Sequence, residues 1–192
     1  PAAARPSCSR SATFFTTVEC QVKFGDAMLD YKHEHMPEDK NDVLSNFAIL
    51  PLFHLGTFIC LFVWACKGWA LNLSADIRDF YRDLGLMHSD VMASAPMLVE
   101  TIYNDMKRGR VSRLNGLWDL CCSSAALDPR MLLELAQNGF VVNQCYGMTE
   151  TFGDGILNFT QVEKQMSAVG KPDDHVQYKL DETGEICIKA TA

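Results

Sequence analysis

Segments of strand length alternate with segments of helix length along this chain from about Asp42 onward. Parallel strands need a crossover of a dozen or more residues between them, and that crossover is usually a helix. The alternation is therefore typical of a largely parallel sheet covered by helices. We expect an α/β fold.

The strand-like segments are short and mostly apolar, whereas the helix-like segments carry apolar residues on one face. The predicted strands are Val43 to Leu50, Trp69 to Leu73, Val91 to Ser94, Leu117 to Cys122 and a run that begins with Phe140 to Val142. The first predicted helix is Thr57 to Lys67. The second has Ile77, Phe80, Tyr81 and Leu84 on one face and ends at Gly85. A third begins at Pro96, and a fourth begins at Asp128 and Pro129 and ends at Gly139.

Turn-forming residues become frequent after Thr151. Val176 to Leu180 and Glu185 to Lys189 flank a turn at residues 181–184, which predicts a β-hairpin in a separate, smaller antiparallel region. We expect three parts: a divergent N-terminal segment (1–41), an α/β portion (42–152), and the start of a β-rich portion (153–192) that is truncated at its end.

The net charge and the number of cysteines argue against a nucleic-acid-binding protein and against a disulfide-dense secreted domain. A net charge of -7 and a pI near 5.1 provide no basic surface, so nucleic acid is not an expected partner. Eight cysteines in 192 residues are too sparse for a disulfide-dense secreted domain. We expect reduced, buried thiols, including Cys60, Cys66, Cys145 and Cys187, in a cytoplasmic protein.

One stretch, Phe47 to Cys66, is about as long as a helix that crosses a bilayer. It carries Pro51, His54 and Gly56 near its middle, where a helix in lipid would be weakened. A buried strand followed by a buried helix explains the proline and the glycine better. A membrane-associated protein that uses residues 47–66, with peripheral attachment, stays as an alternative.

The hexamer Tyr146 to Thr151, after the last apolar run, combines four ligand-binding groups. A tyrosine ring can stack on a base, and glycine lets the backbone approach a ligand. A threonine hydroxyl can bond a phosphate oxygen, and the carboxylate of Glu150 can hold a hard cation. Because open α/β sheets hold ligands beyond the carboxyl ends of their strands, these groups predict a site for a magnesium nucleotide.

Four further segments accompany this loop. Leu50 to Gly56 places His54 at the end of a predicted strand, where it can orient a carboxylate, although it can equally be a core histidine with a backbone partner. Cys121 to Pro129 follows another predicted strand, and its alternative role is a turn that needs only Asp128 as a helix cap. Two segments lie downstream, Ser167 to Pro172 and Thr183 to Ile188.

These five segments resemble, in order, motifs of the adenylate-forming (AMP-binding) acyl-CoA synthetase family, and especially the long-chain fatty-acid CoA ligases. The family makes an acyl adenylate from a carboxylic acid and ATP, and CoA then displaces AMP. The resemblance covers roughly Asp42 to Lys189 and implies that the α/β portion binds nucleotide and acyl group. Three departures are visible: Gly56 lies one position earlier than the family's glycine, Ser123 and Ser124 replace two glycines, and Ala126 replaces a proline.

The resemblance also implies roles for individual residues. The nucleotide-binding residues would be Ser123, Ser124, Ala125, Tyr146, Gly147 and Thr149. The catalytic residues would be His54 beside the acyl pocket, Thr149 on a phosphate, and Glu150 as the Mg²⁺ ligand. ATP, Mg²⁺, CoA and a carboxylic acid, by this likeness a fatty acid, would be the partners, and Phe58, Ile59, Phe62 and Trp64 would either line an acyl tunnel or simply pack the core.

One family element is missing from its expected place. The family holds the ATP phosphates with a glycine-rich loop upstream of the histidine motif, but Ser7 to Lys23 contains no glycine. The family's domain with the catalytic lysine would lie beyond Ala192. We therefore expect a partial acyl-CoA synthetase that turns over poorly, or alternatively a non-catalytic domain that binds a nucleotide or an acyl group weakly.

Overall fold

The computed structural model describes residues 10–39, 41–110, 114–149, 156–157, 168–172 and 176–190. The strands in these ranges are β1 (Ser45–Ala48), β2 (Ala70–Leu73), β3 (Val91–Ser94), β4 (Asp119–Cys122), β5 (Val141–Tyr146), β6 (Ile156–Leu157), β7 (Lys171–Pro172), β8 (Val176–Leu180) and β9 (Ile186–Ala190). The helices are α1 (Arg10–His35), α2 (Leu55–Lys67), α3 (Phe80–Leu86), α4 (Pro96–Lys107) and α5 (Pro129–Gln137).

Five strands form a parallel sheet in the order β2-β1-β3-β4-β5, and β6 and β7 extend it as short antiparallel strands. Strands β8 and β9 pair as a separate antiparallel hairpin. The predicted α/β class and the smaller antiparallel region are therefore confirmed.

The chain changes direction across the sheet at β1. It runs outward from β1 to β2, returns past β1 to β3, and then continues through β4 to β5. The connections that leave the carboxyl ends of β1 and β3 therefore diverge. In open α/β sheets, the crevice at such a divergence is where ligands bind.

Helices cover both faces of the parallel sheet, and the two faces differ in polarity. One face packs apolar strand residues, Phe47, Met92, Leu120 and Val142, against α3, α4 and α5. The other face packs Leu44, Val91 and Val141 against α1 and α2, and all three tryptophans of the chain lie in this second core. The second face also buries the polar strand residues Asn46, Asp119 and Asn143.

Helix α1 occupies the region that was least legible in the sequence. Its 26 residues include Thr13 to Phe24, where strand-forming residues are mixed with no evident partner strand. Helix α1 packs on α2 and buries Cys20 and Met28. This tertiary packing stabilises the helix although its own sequence has a weak helix propensity. Gly25 allows the close approach, since a Cβ there would lie 2.8 Å from Cζ3 of Trp69.

A buried lysine fixes α1 to the start of the sheet. Lys32 is 1% exposed, and its Nζ lies 2.9 Å from Oδ2 of Asp39 and 3.1 Å from Oδ1 of Asp90. Oδ2 of Asp90 accepts hydrogen bonds from the backbone nitrogen of Ser45 (2.8 Å) and from its hydroxyl (2.7 Å). Burial alone would lower the pKa of Lys32, but the hydrogen bonds to Asp39 and Asp90 raise that pKa above its usual value.

The structure differs from the sequence prediction at the end of α3, and it shows what the segment Phe47 to Cys66 forms. Gly85 does not stop its helix, because α3 continues to Leu86 and ends where Met87 becomes extended. The stretch Phe47 to Cys66 is the end of β1, a turn and most of the 13-residue α2. Within the described residues, no helix has both the length and the apolar character needed to cross a membrane.

Candidate functional site

A cavity of about 170 Å³ lies at the carboxyl ends of β1, β3, β4 and β5, between the sheet and helices α1 and α2. Leu50 and Ala93 line it, so it begins where the connections after β1 and β3 diverge. The predicted site residues that line this cavity are His54, Ser123, Ser124, Tyr146, Gly147 and Thr149. Ala125 does not line it, and Glu150 is outside the described residues.

His54 is the residue immediately before α2. Its backbone nitrogen donates to the carbonyl of Pro51 (2.9 Å), and its carbonyl accepts from the nitrogen of Phe58 (3.0 Å), which fixes the turn. The imidazole is exposed on the cavity, and no described residue forms a hydrogen bond with it. The alternative of a core histidine is therefore wrong. Gly56 leaves room for the ring, because a Cβ there would lie 3.3 Å from Nδ1 of His54.

Ser124 has a backbone conformation that glycine favours. Its φ is +80°, in the left-handed region. Ser124 is one of the two serines that stand where the family motif has glycine, and its φ explains why glycine suits this position. Two hydrogen bonds hold the loop: Oε1 of the buried Gln144 accepts from the nitrogen of Leu127 (3.1 Å), and Asp128 accepts from the nitrogen of Arg130 (2.7 Å) as the predicted cap of α5.

Tyr146 ends β5 and is half-buried at the cavity wall, whereas Gly147, Met148 and Thr149 are exposed. The phenol oxygen of Tyr146 donates to Sδ of Met148 at 3.8 Å, so the ring stays beside its own loop. The wall therefore presents an aromatic ring, a backbone segment without a side chain, and an exposed hydroxyl. Such groups suit a base, a close-lying ligand backbone and a phosphate oxygen.

Three cysteines that line the cavity went unnoticed in the sequence as site residues. They are Cys60 on α2, Cys121 on β4 and Cys145 on β5. The Sγ atoms of Cys121 and Cys145 are 3.7 Å apart. Alternation along each strand could place them on one face, but only the register of β4 against β5 brings the two thiols together.

The surroundings of these thiols separate their acidities. Burial raises the pKa of Cys60 to about 12. The hydrogen bond between the two neighbouring thiols raises the pKa of Cys121 well above its usual value, and burial adds to this. The same hydrogen bond, with help from Ser123, lowers the pKa of Cys145. Of the three, Cys145 is therefore the thiol that ionises most readily.

The prediction that the cysteines are buried is wrong for several of them. Cys66 and Cys187 are exposed, because they lie on the solvent sides of α2 and of the hairpin, and the cavity cysteines are partly exposed. None of the seven cysteines in the described residues forms a disulfide.

The four apolar residues proposed for an acyl tunnel divide into two pairs. Ile59 and Trp64 are buried in the core beneath α2, and of the four only Ile59 lines the cavity. Phe58 and Phe62 are each 39% exposed, and their rings meet edge to face at 4.9 Å. Core packing is thus the role of Trp64, and a tunnel wall is compatible with Ile59.

One cluster of potential metal ligands lies away from the cavity, at Asp39, His88 and Asp90. The ammonium of Lys32 already lies within 3.1 Å of both carboxylates. A metal cation at this position would be repelled by that ammonium. The two carboxylates therefore act as ion-pair partners of Lys32 and not as metal ligands.

Comparison with known proteins agrees with this geometry. The family model described as "AMP-binding enzyme" matches residues 21–192. Among solved structures, the fold is similar to o-succinylbenzoate-CoA synthetase from Bacillus subtilis in complex with its acyl-adenylate intermediate (TM-score 0.68, 17% identity, 92% of this chain and 36% of that chain). It is also similar to a fatty acyl-CoA synthetase from Mycobacterium tuberculosis (TM-score 0.65, 14% identity, 77% of this chain and 32% of that chain).

The chain thus spans about a third of the length of these solved proteins. A search of curated proteins gave no match. The family model covers most of the sequence, and the cavity lies where the family motifs meet. This protein belongs to the AMP-binding enzyme family, whose members are adenylate-forming acyl- and aryl-CoA ligases.

Proposed function

We propose that this chain provides the acid- and nucleotide-binding part of an acyl-CoA synthetase that acts on a fatty acid. The reaction joins the acid to ATP as an acyl adenylate with loss of pyrophosphate, and the thiol of CoA then displaces AMP. The observation that carries the proposal is the single cavity in which His54, Ser123, Tyr146 and Thr149 meet at the divergence of β1 and β3.

Each wall of the cavity has a task in this proposal. Tyr146 stacks on the adenine beside the backbone of Ser123 and Ser124, and the hydroxyl of Thr149 binds a phosphate oxygen. His54 orients the carboxylate of the acid. Ile59 offers an apolar surface to the acyl chain at the cavity's inner side. These groups place the acid close to the phosphate, which is how positioning contributes to catalysis.

The sequence after β5 supplies an oxygen donor of the kind that Mg²⁺ prefers. Glu150 directly follows Thr149, which lines the cavity, and carboxylate and phosphate oxygens are the ligands that Mg²⁺ prefers. We assign Glu150 as its protein ligand. When bound, the ion offsets negative charge on the phosphate oxygens.

We propose weak turnover for the isolated chain. The hydroxyl residues between Arg10 and Lys23, where the family has its phosphate loop, belong to α1 instead. The amide groups inside a helix are hydrogen-bonded to its own carbonyls, so they cannot cradle a phosphate.

Titration calorimetry with a non-hydrolysable acyl-adenylate analogue and Mg²⁺ tests the site. We expect Tyr146→Ala to weaken binding about 5- to 100-fold, the range for loss of aromatic stacking on one base. Tyr146→Phe keeps the ring and retains most of the affinity. Glu150→Ala loses the dependence of binding on Mg²⁺, whereas the exposed Glu182→Ala does not. Absence of binding, or equal affinity of all four variants, contradicts the proposal.

The second candidate is a non-catalytic adenylate- or acyl-binding domain. The strained Ser124 and the helical α1 favour it, because both depart from the features with which the family binds nucleotide. Pyrophosphate release with fatty acid, ATP and Mg²⁺ separates the two. Measurable release above a Glu150→Ala control supports the enzyme, and binding without release supports the second candidate.

We also propose a cytoplasmic location, supported by the lack of disulfides among the described cysteines, and peripheral attachment to membranes. Attachment is supported by Phe53, which is 91% exposed beside Leu52, which is 50% exposed. Flotation with phosphatidylcholine vesicles tests it. Phe53→Ser should reduce the bound fraction, whereas Leu86→Ser, at a 77% exposed site elsewhere, should not. A chain that stays with the unbound fraction contradicts attachment.

A further inference from the structure

We propose that Cys121 and Cys145 form a dithiol on the wall of the cavity, and that a peroxide entering the cavity oxidises this dithiol to a disulfide. This inference goes beyond the ligase function and does not depend on it. It begins with the two Sγ atoms, which are 3.7 Å apart on neighbouring strands and both line the cavity.

The two thiols have different parts in the reaction. The thiolate of Cys145 attacks one peroxide oxygen, the O–O bond breaks, and a sulfenic acid forms on Cys145 while the leaving oxygen becomes water. The sulfur of Cys121 then attacks the Cys145 sulfur and loses its proton. A second water leaves as the disulfide forms. Two electrons from the two thiols thus reduce one hydrogen peroxide to two waters.

The contacts of each thiol assign these parts. Hydrogen bonds from Cys121 and Ser123 lower the pKa of Cys145 and outweigh its burial. The Cys145 thiol also donates to the carbonyl of Cys122 at 3.5 Å. The same hydrogen bond between the two thiols and burial raise the pKa of Cys121, which suits this thiol to the resolving part. Redox-sensitive cysteines are typically an easily ionised, accessible thiol beside a resolving thiol.

Disulfide formation alters the cavity. Cys121 is in register with Asn143, so Cys145 lies two residues further along β5, as a diagonal neighbour. The sulfurs must approach from 3.7 Å to a bond of about 2.05 Å. The carboxyl ends of β4 and β5 are therefore drawn together. Ser123, two residues after Cys121, and Tyr146, directly after Cys145, are displaced at the cavity wall.

Peptide mapping of the full-length chain after treatment with hydrogen peroxide tests the proposal. We expect a peptide pair that contains Cys145 and Cys121, lighter by two hydrogens and separated again by dithiothreitol. It should form at least about tenfold faster than oxidation of the exposed Cys66 and Cys187. Oxidation of Cys66 or Cys187 first, or no cross-link to Cys145, overturns the proposal.

Matched variants identify the partner. Cys122 is adjacent to Cys121 in sequence, but its side chain lies on the opposite face, in the core beneath α3 to α5. Cys122→Ala should therefore keep the cross-link, and Cys121→Ser should lose it and leave a Cys145 sulfenic acid that a 1,3-diketone traps. A cross-link that survives in Cys121→Ser overturns the proposal. Mapping of the unsubstituted chain decides the matter even where a variant fails to fold.

Discussion

At the scale of single residues, the sequence motifs predicted which side chains would meet. His54, Ser123, Tyr146 and Thr149 come from three separate segments and line one cavity. The motifs could be located because each follows a strand, and parallel strands end at one edge of the sheet. The cavity thiols could not be found in this way, because their approach depends on the register between β4 and β5.

The left-handed conformation of Ser124 leads to a prediction about stability. A residue with a Cβ at φ +80° is strained, at a cost of about 1–2 kcal/mol. We expect Ser124→Gly to raise the free energy of unfolding by about 1 kcal/mol, since glycine's greater freedom in the unfolded chain offsets part of the relief. Ser124→Ala keeps the Cβ and should change little. Urea denaturation measures both, and a Gly variant no more stable than the Ala variant contradicts the prediction.

The buried Asp119 leads to a prediction about pH. Burial raises the pKa of this carboxyl well above its usual value, although Nδ2 of Asn143 donates to it at 2.6 Å. Above about pH 4 the unfolded chain releases this proton and the folded chain retains it, so the group makes the folded state less stable as pH rises. Asp119→Asn removes this effect and mimics the protonated form.

We expect Asp119→Asn to stabilise the protein at pH 7 by an amount on the order of 1 kcal/mol, or about 2–4 °C in Tm. The gain should shrink as pH falls toward 4. Asp128→Asn is the control, because asparagine caps a helix as well as aspartate does. Thermal unfolding of the three proteins between pH 4 and 8 checks this, and a gain that grows as pH falls would show that the sign is wrong.

At the scale of secondary-structure elements, the sequence predicted the strands and helices after Asp42 with small errors at their ends. β3 has the predicted bounds, and β1 is shorter than predicted. Helix α1 could not be predicted, because its stability comes from contacts with α2 and the sheet and from the ion pair of Lys32 with Asp90, all distant in sequence.

Lys32 allows a direct test of how α1 is fixed. Lys32→Met leaves the carboxylate of Asp90 buried without its cation, and breaking a buried ion pair in this way costs about 3–5 kcal/mol. Lys23→Met on the same helix removes only an exposed pair with Glu19 and should change stability by less than about 0.5 kcal/mol. Equal urea midpoints for the two variants would mean that the buried ion pairs do not hold α1.

At the scale of the whole molecule, one sheet supports both cores. All three tryptophans lie on the face covered by α1 and α2, so their fluorescence reports on that face, and circular dichroism reports on every helix. Because both cores need the same five strands, we expect the two signals to change at the same urea concentration. A tryptophan transition at lower urea would show that α1 and α2 separate first.

The two faces of the sheet differ in polarity and in role. The face under α1 and α2 carries the cavity, and the face under α3, α4 and α5 carries an apolar core. Among the described residues, the groups that line the cavity come from the carboxyl edge of the sheet and from α1 and α2, and none comes from α3, α4 or α5. Substitutions that stabilise the core beneath α3 to α5 should therefore leave the residues that line the cavity unchanged. In the proposed synthetase, substitutions at Ile59 and Cys60 of α2, which line the cavity, are the ones expected to change the choice of acid.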